Sequence, residues 1–266
     1  MRRLALDHLT AVDTNPVHLV EIARATGYDA VCLFLAAMPV LPLMPVFDCI
    51  ADRPLRRDLR AAFAATAIAF DLAYPFTLTG RSVIADCAPA LDCVADLGGG
   101  MVNVLLYDRD PVRRMDGFAA FCDLAGSHGL AVAVEFYPPS QIASLGAAYD
   151  LVARLARPGR VGINVDLLHL MRSGGGVADL ADAADLIVYA QVCDGPAVAV
   201  NAAYEASAQR LLAGAGVFDM AGFLAALPPG CPVSVEIPRD DCVAMLSAHD
   251  RAAQALASVK DHASQD

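Results

Sequence analysis

Positive charge is scarce in this chain. Its 19 Lys and Arg stand against 30 Asp and Glu, a net charge of -11, and a surface that grips a nucleic-acid backbone needs clustered cations. The acidic balance otherwise bears on solubility. Long uninterrupted apolar runs are also missing. The longest, Ala30 to Phe47, is broken by Pro39, Pro42 and Pro45 and ends at Asp48, so no membrane helix is expected. The opening Met-Arg-Arg-Leu-Ala-Leu-Asp-His puts a carboxylate and an imidazole where a secretory signal needs an apolar core. None of the eight cysteines forms a Cys-x-x-Cys pair, and most lie in apolar stretches. Reduced thiols in a cytoplasmic protein are therefore expected, rather than disulfides or a structural zinc. No Gly-x-Gly-x-x-Gly follows the first apolar run, which removes the main support for a dinucleotide-binding sheet. No repeat, low-complexity segment or linker divides the chain. One domain over residues 1–259 is expected, with a frayed tail at 260–266.

What is present is a large apolar core, since 57% of residues are hydrophobic and only 18% charged. Strand-like runs are predicted at 4–9, 29–35, 66–72, 101–106, 130–136, 161–166, 186–192 and 232–237. Helical patterns follow most of them, including a helix capped near Thr14 and Asn15 with Pro16 in its first turn, and others at 55–65, 85–97, 111–128, 144–156 and 240–259. Eight such units predict an α/β fold, a closed parallel eight-stranded (β/α)8 TIM barrel, with a doubly wound open sheet as runner-up. The runs show almost no polar alternation, as strands buried on both faces should.

The most informative stretch is Gly162 to Gly176. An apolar strand ends on Asp166, His169 follows at i+3 and Arg172 at i+6, before a glycine run. If the chain coils after Asp166, the three polar groups share one face, and burying them costs free energy unless a ligand satisfies them. Three further predicted strands carry an oxygen ligand at the same end: Glu135, Gln191 and Glu236. In a barrel of this kind active residues sit at the carboxyl ends of the strands. Three carboxylates aimed at one point repel one another, and one divalent cation relieves the repulsion. An all-oxygen set suits Mn, Mg or Co, with Zn a further candidate.

Val-Glu-Phe-Tyr-Pro at 134–138, Asp-Leu-Leu-His at 166–169, Gln-Val-Cys-Asp at 191–194 and Val-Glu-Ile-Pro at 235–238 resemble the xylose isomerase-like barrel superfamily of sugar isomerases and epimerases. That superfamily also holds inosose isomerases and dehydratases, 3-dehydroshikimate dehydratases and endonucleases. The resemblance implies Glu135, Asp166, Gln191 and Glu236 as metal ligands, Glu135 and Glu236 as an acid/base pair, and His169 as a substrate contact or proton shuttle. Gln191 departs from the histidine that many of the epimerases carry, and the Glu-Asp-Gln-Glu set is similar to that of dehydroshikimate dehydratase-like members. The reaction implied is proton abstraction beside a metal-polarised carbonyl to give a metal-bound enediolate, then isomerisation, epimerisation or dehydration.

The substrate expected is a small sugar, polyol or inosose, or else a hydroxy-keto acid. Arg172 is a candidate cradle for a substrate carboxylate or phosphate, or else a solvated arginine, and Arg239 is a second candidate anion clamp, or else a salt-bridge partner of Asp240 or Asp241. Asp194 is either a turn residue or an acceptor that orients Gln191 or His169. His8 is a further candidate to line the pocket. The Pro-rich segment 38–45, unusually apolar for a loop, is expected to wall the substrate or to meet another subunit in a homo-oligomer. Either use favours a substrate or partner with apolar character. An endonuclease needs a histidine-rich metal cluster and a basic groove, and only six histidines are present. A non-catalytic sugar-binding barrel is a more distant reading.

Overall fold

In the computed structural model, which describes residues 2–263, eight strands close into a barrel in chain order. They are β1 (Leu4–Asp7), β2 (Ala30–Phe34), β3 (Ala69–Leu78), β4 (Met101–Leu106), β5 (Ala131–Glu135), β6 (Val161–Asp166), β7 (Ile187–Val192) and β8 (Val233–Val235). Every neighbouring pair is parallel, and β8 returns to β1 with Leu4 opposite Val233. The expected parallel (β/α)8 barrel is the observed fold. β1, β2 and β6 are buried along their whole length, which is why their sequences show no alternation. Gly162 in β6 is required by close approach, because a Cβ there would stand 2.7 Å from the Leu186 carbonyl oxygen and against the Val188 side chain.

Helix starts follow local chemistry. Asn15 accepts a hydrogen bond from the His18 N–H at 3.0 Å and Pro16 occupies the first turn, as the sequence predicts. Asp52, Asp110 and Ser144 cap the helices Arg53–Thr66, Pro111–Ser127 and Leu145–Leu155 in the same way. All eight cysteines are free thiols. Among the described residues, no helix is long and apolar enough to cross a membrane.

Two elements depart most from the prediction, while most of the others differ from it by three residues or fewer at an end. The third strand is not 66–72 but Ala69–Leu78, because Thr66 still belongs to the preceding helix, its hydroxyl bonded to the Ala62 carbonyl at 2.7 Å. Pro75 reads as a strand stop because it lacks an N–H. Here it falls where the β3–β4 register shifts, between Ala73 and Phe76, so the ladder does not need that donor. The last helix is not 240–259 either: Asp240–Cys242 is a single turn, and the helix proper runs Ala248–Ala263. It continues past Lys260, where fraying is expected from sequence; residues 264–266 of that tail lie outside the described residues.

Candidate active site

β4 to β8 deliver their polar residues to one end of the barrel. Asp166 closes β6 and caps the short helix Leu167–Arg172: its Oδ1 accepts the N–H groups of Leu168 at 2.7 Å and His169 at 3.2 Å. That single turn brings the His169 ring back over the strand ends. Its Nε2 lies 3.2 Å from Glu135 Oε1 and 3.7 Å from Asp166 Oδ2. The Tyr137 ring packs on the imidazole, centroids 4.7 Å apart. Glu135, the last residue of β5, accepts a bond from Asn103 on β4. Gln191 of β7 accepts from Asn164 at 2.5 Å and donates to Glu236, the residue after β8. The four strand-end residues therefore meet, all of them buried.

The organising cation lies outside the motifs of the sequence. Arg210, in the segment between β7 and β8, is 2% exposed. Its Nη1 donates to Asp166 Oδ2 and its Nη2 to Glu236 Oε1, each at 2.7 Å, while Nε donates to the Ala206 carbonyl at 2.8 Å. Asp7, at the end of β1, accepts from the Tyr74 hydroxyl and lies 3.5 Å from Gln191 Nε2. Of four buried carboxylates, Asp7, Glu135, Asp166 and Glu236, only Asp166 and Glu236 pair with the guanidinium. The imbalance appears in their titration. Burial, opposed by Tyr74, Leu9 and Arg210, raises Asp7 to about 7. Burial, reinforced by Asp7, Asp166 and Glu135, lifts Glu236 well above the carboxylate range despite Arg210. Asp166 is also pushed up by burial, but Arg210, His169 and its hydrogen bonds bring it below its ordinary value.

A divalent cation fits this donor set in type and in charge. Glu135, Asp166 and His169 each offer a ligand atom, all within 4.8 Å of one another. The surplus of buried negative charge is of the kind such an ion neutralises. Gln191 turns its N–H side to Glu236 and its oxygen to Asn164, so in this arrangement it is the weakest candidate ligand of the four.

A cavity of about 560 Å³ opens over the cluster and is lined by Asn103, Glu135, His169, Gln191, Arg210 and Glu236 together with apolar side chains. Met38, Val40 and Leu41 of the Pro-rich segment border it, so that segment walls the cavity.

Four other expected site residues are engaged away from it. Arg172 binds Glu205 through Nε at 2.7 Å and Nη2 at 2.6 Å, and also the Pro196 carbonyl, so it ties down the loop after β7. Asp194 accepts from the N–H groups of Gly195, Gly214, Gly216 and Phe218; it folds the same loop and bonds neither Gln191 nor His169. Arg239 donates to Gln254. His8 is fully buried outside the cavity wall, bonded to the Thr14 carbonyl at 3.0 Å and stacked on Phe47, and burial lowers its pKa to about 4. Arg210 left no motif in a stretch without strand character. Asn103 and Asn164 did leave a signal: each is one amide within an otherwise apolar strand.

Residues 20–262 match the family model described as xylose isomerase-like TIM barrel. The chain belongs to that family. Its fold is shared with the IolI protein solved with a bound zinc atom, at 21% identity and TM-score 0.80 over 99% of this chain and 98% of that one. It is shared too with a D-allulose 3-epimerase from Methylomonas sp., at 14% identity and TM-score 0.73 over 98% of both chains. The probable 3-DHS dehydratase AsbF from Bacillus anthracis aligns over 100% of both chains at 12% identity and TM-score 0.74. Against a xylose isomerase-like barrel/4-hydroxyphenylpyruvate dioxygenase fusion protein, at 23% identity and TM-score 0.78, 97% of this chain is covered but only 42% of that one. At these identities the likeness is one of fold. A search of curated sequences finds no match.

Proposed function

We propose that the protein is a divalent-metal-dependent isomerase or epimerase of an uncharged keto sugar, polyol or inosose. The observation that carries this reading is the pairing state of the cavity's cations. Arg210 is the one guanidinium or ammonium in the described lining, and two carboxylates already hold it. Arg172 and Arg239, the clamps that a hydroxy-keto acid would need, are engaged elsewhere. A substrate without a carboxylate or phosphate suits such a site.

Glu135, Asp166 and Glu236 would hold the ion, with Gln191 or His169 completing the set; when bound, it polarises a substrate carbonyl and acidifies the neighbouring C–H. The protein's own groups then handle the proton. Asn103 holds one oxygen of Glu135 and leaves Oε1 facing the His169 ring, so a proton taken by that oxygen has an acceptor 3.2 Å away. Glu236 accepts from Arg210 through Oε1 and from the neutral Gln191 amide through Oε2, and Oε2, the oxygen without a cationic partner, serves as the second proton-transfer oxygen. Returning the proton to the opposite face epimerises, and returning it to the adjacent carbon isomerises. Loss of a β-hydroxyl instead would make the protein a lyase. That second reading is favoured by glutamine at 191 and by the likeness to AsbF.

The test is solvent-deuterium incorporation into a panel of keto sugars, inososes and hydroxy-keto acids with added Mn, alongside metal content of the wild type and Glu236→Gln. Exchange on neutral substrates, with metal and exchange both lost in the variant, is expected. Turnover confined to hydroxy-keto acids would establish the lyase reading. Absence of exchange on the whole panel, with no metal retained, would overturn both.

A further inference from the structure

The cavity is divided by chemistry. Its polar lining comes mainly from the β5–β8 side, which supplies Glu135, His169, Gln191, Arg210 and Glu236. The β2–β4 side supplies mainly Phe34, Met38, Leu41, Pro75, Leu105 and Tyr107; its polar groups, among them Thr77, Thr79 and Asn103, carry no charge. At about 560 Å³ the cavity has more room than a six-carbon polyol fills, and it lies in the range that takes drug-sized ligands.

The apolar wall is built, not incidental. The segment after β2 folds back through the Ala37 N–H to the Phe47 carbonyl at 2.9 Å and the Cys49 N–H to the Leu35 carbonyl at 2.8 Å. Within it, the Leu41 N–H bonds the Met38 carbonyl at 2.9 Å, and the Met44 N–H bonds the Leu41 carbonyl at 3.0 Å. Buried Met44 and Phe47 anchor the segment in the core, which leaves Met38 and Leu41 half-buried at the cavity. Partly open apolar side chains facing a cavity gain from a ligand that covers them.

We propose that the substrate is amphipathic: an uncharged polyhydroxylated carbonyl head seated on the polar cluster, carrying a flat apolar substituent, aromatic or alicyclic, that lies between the 38–41 segment and Tyr107. This deepens the isomerase reading and rests on it for the head group. It excludes a phosphorylated sugar, because the outer half of the cavity offers a phosphate no cation.

Binding can be tested without turnover. Equilibrium dialysis of 6-O-phenyl fructose, 6-O-methyl fructose and fructose 6-phosphate against the purified protein compares one keto head group with three substituents at the same position. Covering a phenyl ring corresponds to roughly tenfold to a hundredfold tighter binding than the methyl analogue. The phosphate is expected to bind no better than the methyl compound. Leu41→Asn, at a half-buried loop position, should reduce the phenyl preference to about threefold or less while the melting temperature stays near wild type; Tyr107→Ser serves as the second variant if Leu41→Asn unfolds. Equal affinity for the phenyl and methyl compounds, no detectable binding of the phenyl compound, or a preference for the phosphate would each overturn the proposal. Deuterium exchange into unsubstituted keto sugars is a separate readout. If it proceeds while the phenyl preference is absent, the reaction class stands and the amphipathic substrate falls.

Discussion

Replacing Arg210 with methionine removes the one cation from a cluster of four buried carboxylates. The guanidinium makes two charge-assisted hydrogen bonds of 2.7 Å, to Asp166 and Glu236, with all three groups shielded from solvent. Taking one partner from a buried pair leaves uncompensated charge and costs about 3–5 kcal/mol. For a chain of this length that loss lowers the melting temperature by on the order of 10 °C. The pH dependence has a definite sign. Without Arg210 Asp166 loses the main charge that holds it below its ordinary value and is pushed up by burial, and Glu236, already raised by burial, rises further, so the native state holds protons that the unfolded state releases. Stability is then retained at low pH and lost as pH rises through the elevated native values. The deficit against wild type should be smallest near pH 5 and largest near pH 8. Divalent Mn should recover part of it by supplying the missing charge. Thermal and urea unfolding between pH 5 and 8, with and without Mn, measure all of this. A variant within about 2 °C of wild type across that range would refute the assignment of Arg210 as the counter-charge of the cluster.

Three further outcomes follow from the same geometry. His8 has its pKa lowered by burial from 6.5 to about 4, so its contribution to stability is present above pH 6.5 and lost as pH falls through 4. The whole lowering corresponds to roughly 3 kcal/mol, and the stability gap between wild type and His8→Gln should shift by a similar amount between pH 7 and pH 4 in urea unfolding. Gly162→Ala should destabilise by about 2 kcal/mol or more, since the new methyl meets the backbone oxygen of Leu186 and has nowhere to move; chemical denaturation reads it directly. Arg172→Ala should weaken the protein by about 2–3 kcal/mol through the buried Glu205 it leaves unpaired, while KM for a neutral substrate changes less than about threefold. A large KM increase with unchanged stability would restore Arg172 as a substrate clamp.

Much of this molecule was legible along the chain. Strands covered on both faces are mostly apolar, so β4 and β6 were readable to the residue, and a carboxylate ending such a run stands out as Glu135, Asp166 and Glu236 do. Asn15 and Pro16 announced their helix because capping is chemistry between near neighbours. Asp166 and His169 could be paired because one helical turn sets their separation. What was not legible depends on partners far apart in sequence. Pro75 is tolerated because of a register shift against β4, which no local pattern encodes. Arg172 found Glu205, Asp194 found the backbone of Gly214 to Phe218, and His8 found Phe47. Arg210, 44 residues from Asp166 and 26 from Glu236, becomes the counter-charge of the site only because barrel closure brings β6, β8 and the loop between β7 and β8 to one point. Sequence alone determined the barrel, and which strands end in carboxylates, because periodicity and capping are local. Tertiary structure decided which charges neutralise which, because a salt bridge depends on distance through space.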